Sequence, residues 1–168
     1  MVSTHRDMIE WKPEYSVSIE SIDKQHQALV ALIAHLQQAM LEGRTKQVVG
    51  PLFASLNRYV KYHFAFEEKL LEENAYPGLQ AHRLEHGRLI AELRVLESKY
   101  LGGSLHAGAP LMKLLRSWLV DHICVHDKEY GVFLCAKDHP QENAEPAEQK
   151  PEQAQDTIEP AHDNTEPA

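Results

Sequence analysis

Four stretches of the chain repeat apolar residues at the three- and four-residue spacing of an amphipathic helix. The first runs from about Ile22 to Leu41. Ile22, Leu29, Ile33, Leu36 and Met40 form its stripe, Ser21 is the expected N-cap and Gly43 the expected stop. The second begins near Lys46 or at Pro51 and ends at Glu73, with Leu56, Tyr59 or Val60, and Leu70 facing inward. Gly50-Pro51 either starts this helix or kinks it. The third spans about Leu79 to Tyr100, with Leu79, Leu89, Leu93 and Leu96 on one face and Gly102-Gly103 at its end. The fourth begins near Pro110, a good first-turn residue, and reaches about Leu134. Leu111, Leu114 or Leu115, Trp118 and Leu119 lead down its face.

Short connections between such helices predict an all-α, up-down-up-down four-helix bundle over residues 21–136. Tyr76-Pro77-Gly78 folds the second and third helices back on each other as antiparallel neighbours. Residues 1–20 read as an irregular arm that Trp11, Tyr15, Val17 and Ile19 could anchor, and Pro13 argues against helix there. Residues 137–168 are rich in Pro, Glu, Gln and Ala and almost devoid of large apolar side chains. Such a stretch cannot bury enough surface to offset its ordering entropy, so a disordered acidic tail is expected.

Composition adds few constraints. The formal charge of −8 argues against a nucleic-acid partner, but eight acidic residues and one lysine lie in 141–168. The remainder is therefore nearly neutral. Cys124 and Cys135 are eleven positions apart in one predicted helix, about 16 Å at the helical rise, too far to bridge. No run approaches the roughly 18 apolar residues of a membrane span. The N-terminus, MVSTHRDMIEW, carries charges where a signal peptide needs an apolar core. A cytoplasmic location follows as the expectation. With no second apolar face evident, a monomer is expected.

Polar residues interrupt the apolar stripes at a matching depth. They are His26 on the first helix, His63 and Glu67 on the second, His82 and His86 on the third, and His122 with nearby Asp127 on the fourth. Four residues turn a helix by about 400°, so His63 and Glu67, and likewise His82 and His86, stack on one face. Glu67 is the most informative of these, because a carboxylate on an apolar stripe is costly unless a cation neutralises it. His35 and His106 fall outside the stripes and read as solvated.

Five imidazoles and two carboxylates exceed what one transition metal takes, since a structural zinc closes with four ligands. Two octahedral ions sharing both carboxylates and one oxygen would use all seven and leave one position open. Nitrogen and oxygen donors without thiolate suit iron, manganese or copper. With Phe64, Trp118 and Leu119 beside it, the open position would be apolar and dry. It would admit a small uncharged molecule more readily than an anion.

Two rival readings come from spacing. His82-Arg-Leu-Glu85-His86 matches the zinc-peptidase pattern H-x-x-E-H, with Glu85 as general base. That reading leaves His26, His63 and His122 unused. On the fourth helix, His126 is four residues after His122 and is the better-placed partner on a regular helix. Asp127, five on, lies about 140° round and reaches the site only if the helix widens locally or its side chain bends back.

The order D-x-Q-H (Asp23 to His26), H-F-x-x-E-E (His63 to Glu68), Y-P-G followed by H-x-x-x-H (Tyr76 to His86), and W-L-V-x-H-I-x-x-x-D-K-x-Y (Trp118 to Tyr130) closely resembles the hemerythrins, in particular the bacterial ones. The likeness covers roughly Trp11 to Leu134. The resemblance implies a non-haem di-iron centre that binds O2 reversibly, as carrier, store or sensor rather than as an enzyme. His82, His86 and His122 would hold one iron and His26 and His63 the other. Glu67 and Asp127 would bridge them together with an oxo or hydroxo group. The resemblance thus selects Asp127 over His126. O2 would bind end-on at the two-histidine iron as a hydroperoxide, in an apolar pocket matching Phe64, Trp118 and Leu119. The alternative on the same bundle is a di-iron oxidase, or an enzyme removing peroxide or nitric oxide.

Overall fold

The computed structural model describes residues 8–103 and 106–138. Helices α1 (Glu20–Leu41), α2 (Thr45–Glu73) and α3 (Leu79–Leu101) are followed by a fourth rod built of three consecutive segments. These are α4 (Gly108–Ser117), a π-helical stretch (Trp118–Asp127) and α5 (Lys128–Asp138). The chain is an all-α four-helix bundle. The fourth rod starts two residues before Pro110 and ends four after Leu134. The acidic stretch expected to be disordered lies, beyond Asp138, outside the described residues, as do residues 1–7 of the arm.

The helix ends follow backbone chemistry more than side-chain caps. α1 begins at Glu20, after an extended Ile19 with no side-chain cap, so Ser21 is already inside the helix. α1 ends in a Schellman turn: Gly43 N–H donates to Met40 O (3.3 Å) and Arg44 N–H to Ala39 O (2.8 Å), with Gly43 at φ +69°. α2 ends in the same turn, with Ala75 N–H donating to Glu72 O (3.0 Å) and Tyr76 N–H to Leu71 O (2.9 Å). Here the left-handed residue is Ala75, at φ +54°. α2 starts at Thr45 and runs through Pro51, so Gly50-Pro51 does not start it. Pro51 is exposed, and water can serve the carbonyl that its missing N–H leaves free.

The arm is tied down by polar contacts. Pro13 opens a short 3-10 helix, Pro13–Tyr15, where its fixed φ suits the first turn, contrary to the expectation of no helix there. The Asp23 carboxylate accepts from the Ser16 hydroxyl (2.6 Å) and the Val17 N–H (2.8 Å). Gln37, buried in α1, accepts from the Ile9 N–H (2.8 Å). A methyl group at Gly131 would come 2.5 Å from the Val17 carbonyl oxygen, so the arm crosses α5 where only glycine admits it.

The core divides into two clusters. The larger contains Leu29, Ile33, Leu36, Phe53, Leu56, Val60, Phe64, Leu89, Leu93, Leu111, Leu115, Trp118 and Leu119. The smaller contains Val17, Ile22, Leu71, Tyr130 and Leu134. Leu71 therefore takes the inward place expected of Leu70, which is half-buried. Among the described residues no helix is long and apolar enough to cross a membrane.

An L-residue in the left-handed region carries a steric penalty of about 1 kcal/mol that glycine escapes. Ala75 is exposed and makes no buried contact that glycine would lose. Ala75→Gly is expected to stabilise the fold by about 1 kcal/mol, read as a raised denaturation midpoint. An unchanged or lowered midpoint contradicts this account of the turn.

Candidate metal centre

Between the two apolar clusters lies a polar layer. His26, His63, Glu67, His82, His86, His122 and Asp127 are all buried, with Glu67 and Asp127 at 0 % exposure. The structure brings them into two groups, each with one donor atom per residue within 4.8 Å of the others. One group is Glu67, His82, His86 and His122; the other is His26, His63, Glu67 and Asp127. Both carboxylates stand between them. Oε2 of Glu67 lies 3.1 Å from His86 Nε2, 3.5 Å from His82 Nε2 and 3.7 Å from His63 Nε2. Asp127 turns Oδ2 to His26 Nε2 (3.3 Å) and Oδ1 to His122 Nε2 (3.4 Å) and His82 Nε2 (3.5 Å).

Asp127 reaches this layer because the helix is widened where it must be. In the π-helical stretch, bonding shifts to i→i+5, so the residue five after His122 stands above it. His126, favoured by a regular helix, is half-buried and belongs to neither group. Glu85 is also outside both groups and accepts from Arg88 Nε (3.0 Å), so the zinc-peptidase pattern has no general base at the site.

Spacing alone did not reveal the residues that orient the imidazoles. His63 Nδ1 faces Gln25 Oε1 at 3.0 Å and His86 Nδ1 faces Glu68 Oε1 at 2.8 Å. Each oxygen accepts, so each Nδ1 carries the proton and Nε2 presents its lone pair to the centre. Arg83 Nε in turn donates to Glu68 Oε2 (3.3 Å). The D-x-Q-H and H-F-x-x-E-E motifs already held these residues: Asp23 anchors the arm, while Gln25 and Glu68 hold histidines.

Aromatic rings enclose the layer on the side of the larger cluster. Phe64 stacks on His86 with centroids 3.7 Å apart and planes 8° apart, and Trp118 lies 6.3 Å from Phe64. Trp118 and Leu119 are both buried.

The donors fit a cation. Within the described protein, both nitrogens of His26 and His122, Nε2 of His82 and His86, and all four carboxylate oxygens of Glu67 and Asp127 are buried without a hydrogen-bond partner. Buried polar atoms are normally satisfied, so this many orphans in one layer calls for a positive ion. His26, His63 and His122 are also in the protonation state a metal needs. Burial lowers His26 to about 4, His63 to about 3 and His122 to about 2, against a partial upward pull from Glu67. Burial alone would raise Glu67, but the imidazoles of His82 and His86 outweigh it and hold that carboxyl well below its usual value. Asp127 is pushed well above the usual range, first by burial and then by the Glu67 charge beside it.

Comparison with known proteins gives a consistent picture. The Hemerythrin HHE cation binding domain matches residues 17–134. The chain is 32% identical over 120 residues to a bacteriohemerythrin of Pseudomonas aeruginosa, covering 71% of this chain and 77% of that protein. It is 29% identical over 124 residues to one from Stenotrophomonas maltophilia, covering 74% and 80%. A bacteriohemerythrin of Methylococcus capsulatus is 28% identical over 123 residues, covering 73% and 93%.

The lowered histidines set the acid limit of the metal-free protein. As pH falls below about 6.5, the unfolded chain protonates them while the fold holds them neutral, so stability is lost towards about pH 4 and below. Glu67, also lowered, adds to the loss at more acid pH, whereas the raised Asp127 opposes it. Three imidazoles and one carboxyl outweigh the other carboxyl. Denaturation of metal-free protein at stepped pH from neutral to 4 should show falling stability; a flat or rising profile contradicts the assignment.

Proposed function

Because this chain belongs to the hemerythrin family, we propose that it binds O2 reversibly at a non-haem pair of iron ions in the buried polar layer. His82, His86 and His122 would hold one ion and His26 and His63 the other, with Glu67 and Asp127 shared between them. The observation that carries this reading is the pair of donor groups meeting at two carboxylates, with the two oxygens of Asp127 turned to different groups. The iron pair, when bound, supplies the redox electrons and the coordination position that O2 needs.

The surrounding side chains define what enters and what stays out. Three histidines on one side and two on the other make the centre unequal, which puts the free position on the side of His26 and His63. Phe64 lies against both His63 and His86, and with the buried Trp118 and Leu119 it makes that end of the layer apolar, which suits a small uncharged molecule. Gln25 and Glu68 hold His63 and His86 in the tautomer that keeps Nε2 directed inward. Imidazoles outnumber carboxylates in this layer, whereas the oxidative di-iron bundles are rich in carboxylates. Binding without turnover is therefore the favoured reading over an oxidase or a peroxide- or nitric-oxide-consuming enzyme.

The test is an optical spectrum of anaerobically iron-loaded protein cycled between nitrogen and O2, with iron counted per chain. Two irons, and a visible charge-transfer band that appears with O2 and vanishes when O2 is removed, are expected. A band that forms once and never reverses, or steady consumption of O2, contradicts the carrier reading.

A further inference from the structure

Three buried donors near the polar layer find no acceptor within the described protein: the hydroxyls of Tyr59 and Tyr130 and Nε1 of Trp118. They occupy different places. Tyr130 belongs to the smaller cluster with Ile22 and Leu71, and its ring stands edge-on to His82 at 5.5 Å. Trp118 packs beside Phe64, whose ring covers His86 of the three-histidine group. Of the three, Tyr59 alone has its ring directly against a histidine of the two-histidine side. It packs against the larger cluster, and its ring lies over His63 with centroids 5.0 Å apart and planes 24° apart.

The burial of Tyr59 is uneven in an informative way. The residue as a whole is only half-buried, yet its hydroxyl oxygen is inaccessible. The phenol thus enters from the bundle surface and ends inside, close enough to feel the charge of Glu67 and Asp127 but without a hydrogen-bond partner within the described protein. A phenylalanine would fill the same space without burying an unpaired hydroxyl. The oxygen atom is a cost to the empty fold, and an acceptor that arrives later would offset it. On this side of the layer, the arriving molecule is the small ligand of the free position.

We infer that the Tyr59 hydroxyl donates a hydrogen bond to the ligand bound beside His26 and His63, slowing its release. The inference rests on the O2-binding reading above. It assigns this tyrosine a contact with the ligand inside a pocket otherwise built of apolar side chains, and it extends to small anions that accept a hydrogen bond. Such anions should gain more from the contact than a neutral molecule, because hydrogen bonds to charged acceptors are the stronger ones.

The experiment compares wild type with Tyr59→Phe, which keeps the ring and its stacking on His63. Both are loaded to two irons per chain, titrated with azide and measured for O2 release. The azide Kd is expected to rise about tenfold in the variant and O2 release to quicken. Azide should perturb a tyrosine ultraviolet band in wild type but not in the variant. The metal-free variant should melt at the same temperature as wild type or higher, since the removed hydroxyl had no partner there. Equal azide affinity and O2 release in the two proteins overturn the inference and leave the O2 site standing. A metal-free variant that melts lower, with affinity unchanged, overturns it too, because the hydroxyl then has a partner within the fold. A wild type that binds neither azide nor O2 overturns both readings.

Discussion

The fold depends on burying charge-bearing groups that the protein itself does not satisfy. Glu67 and Asp127 sit at 0 % exposure among five imidazoles, and none of their four oxygens has a hydrogen-bond partner within the described protein. An ionised carboxylate in such surroundings is very unfavourable, and the metal-free layer answers by neutralising what it can. Burial keeps His26, His63 and His122 well below the usual imidazole value, and burial with the neighbouring Glu67 charge pushes Asp127 well above the usual carboxyl range. Cations in the layer would reverse this logic, since the same groups become ligands and their lone pairs acquire partners. Binding energy of this kind is then also folding energy.

The layer explains other features of the bundle. It separates the apolar interior into two clusters, so each helix must carry a polar residue at one depth and apolar residues on both sides of it. It also accounts for the irregular stretch in the fourth rod. A regular fourth helix would direct His126 inward and Asp127 away. The π-helical stretch Trp118–Asp127 corrects the register and restores ordinary helix from Lys128 onward. The same widened stretch includes Trp118 and Leu119, so the segment that aims a carboxylate also lines the apolar side of the site.

What the sequence makes legible follows from regular geometry. His63 with Glu67 and His82 with His86 are four apart on regular helices, so their shared faces could be read directly. The stripes of Leu and Ile predicted the bundle for the same reason. Asp127 could not be read in this way, because whether a helix widens depends on what the neighbouring helices require of it. Only the family resemblance selected it over His126. Gln25 and Glu68 were invisible for another reason: each sits beside the apolar stripe and gains its role from a histidine on a different helix, 38 and 18 residues away. Ser21 was misjudged as a cap because Asp23 ties the arm to α1 and lets the helix begin two residues earlier. Pro51 was ambiguous since one exposed proline near a helix start is tolerable in either position.

The central claim is that one buried layer holds two metal ions which share Glu67 and Asp127. Anomalous diffraction at the iron edge from crystals of the iron-loaded protein measures this directly. The account predicts two peaks in the layer, with both carboxylates in contact with both ions, three histidines on one and two on the other. A single peak, or His126 in the place of Asp127, would contradict it.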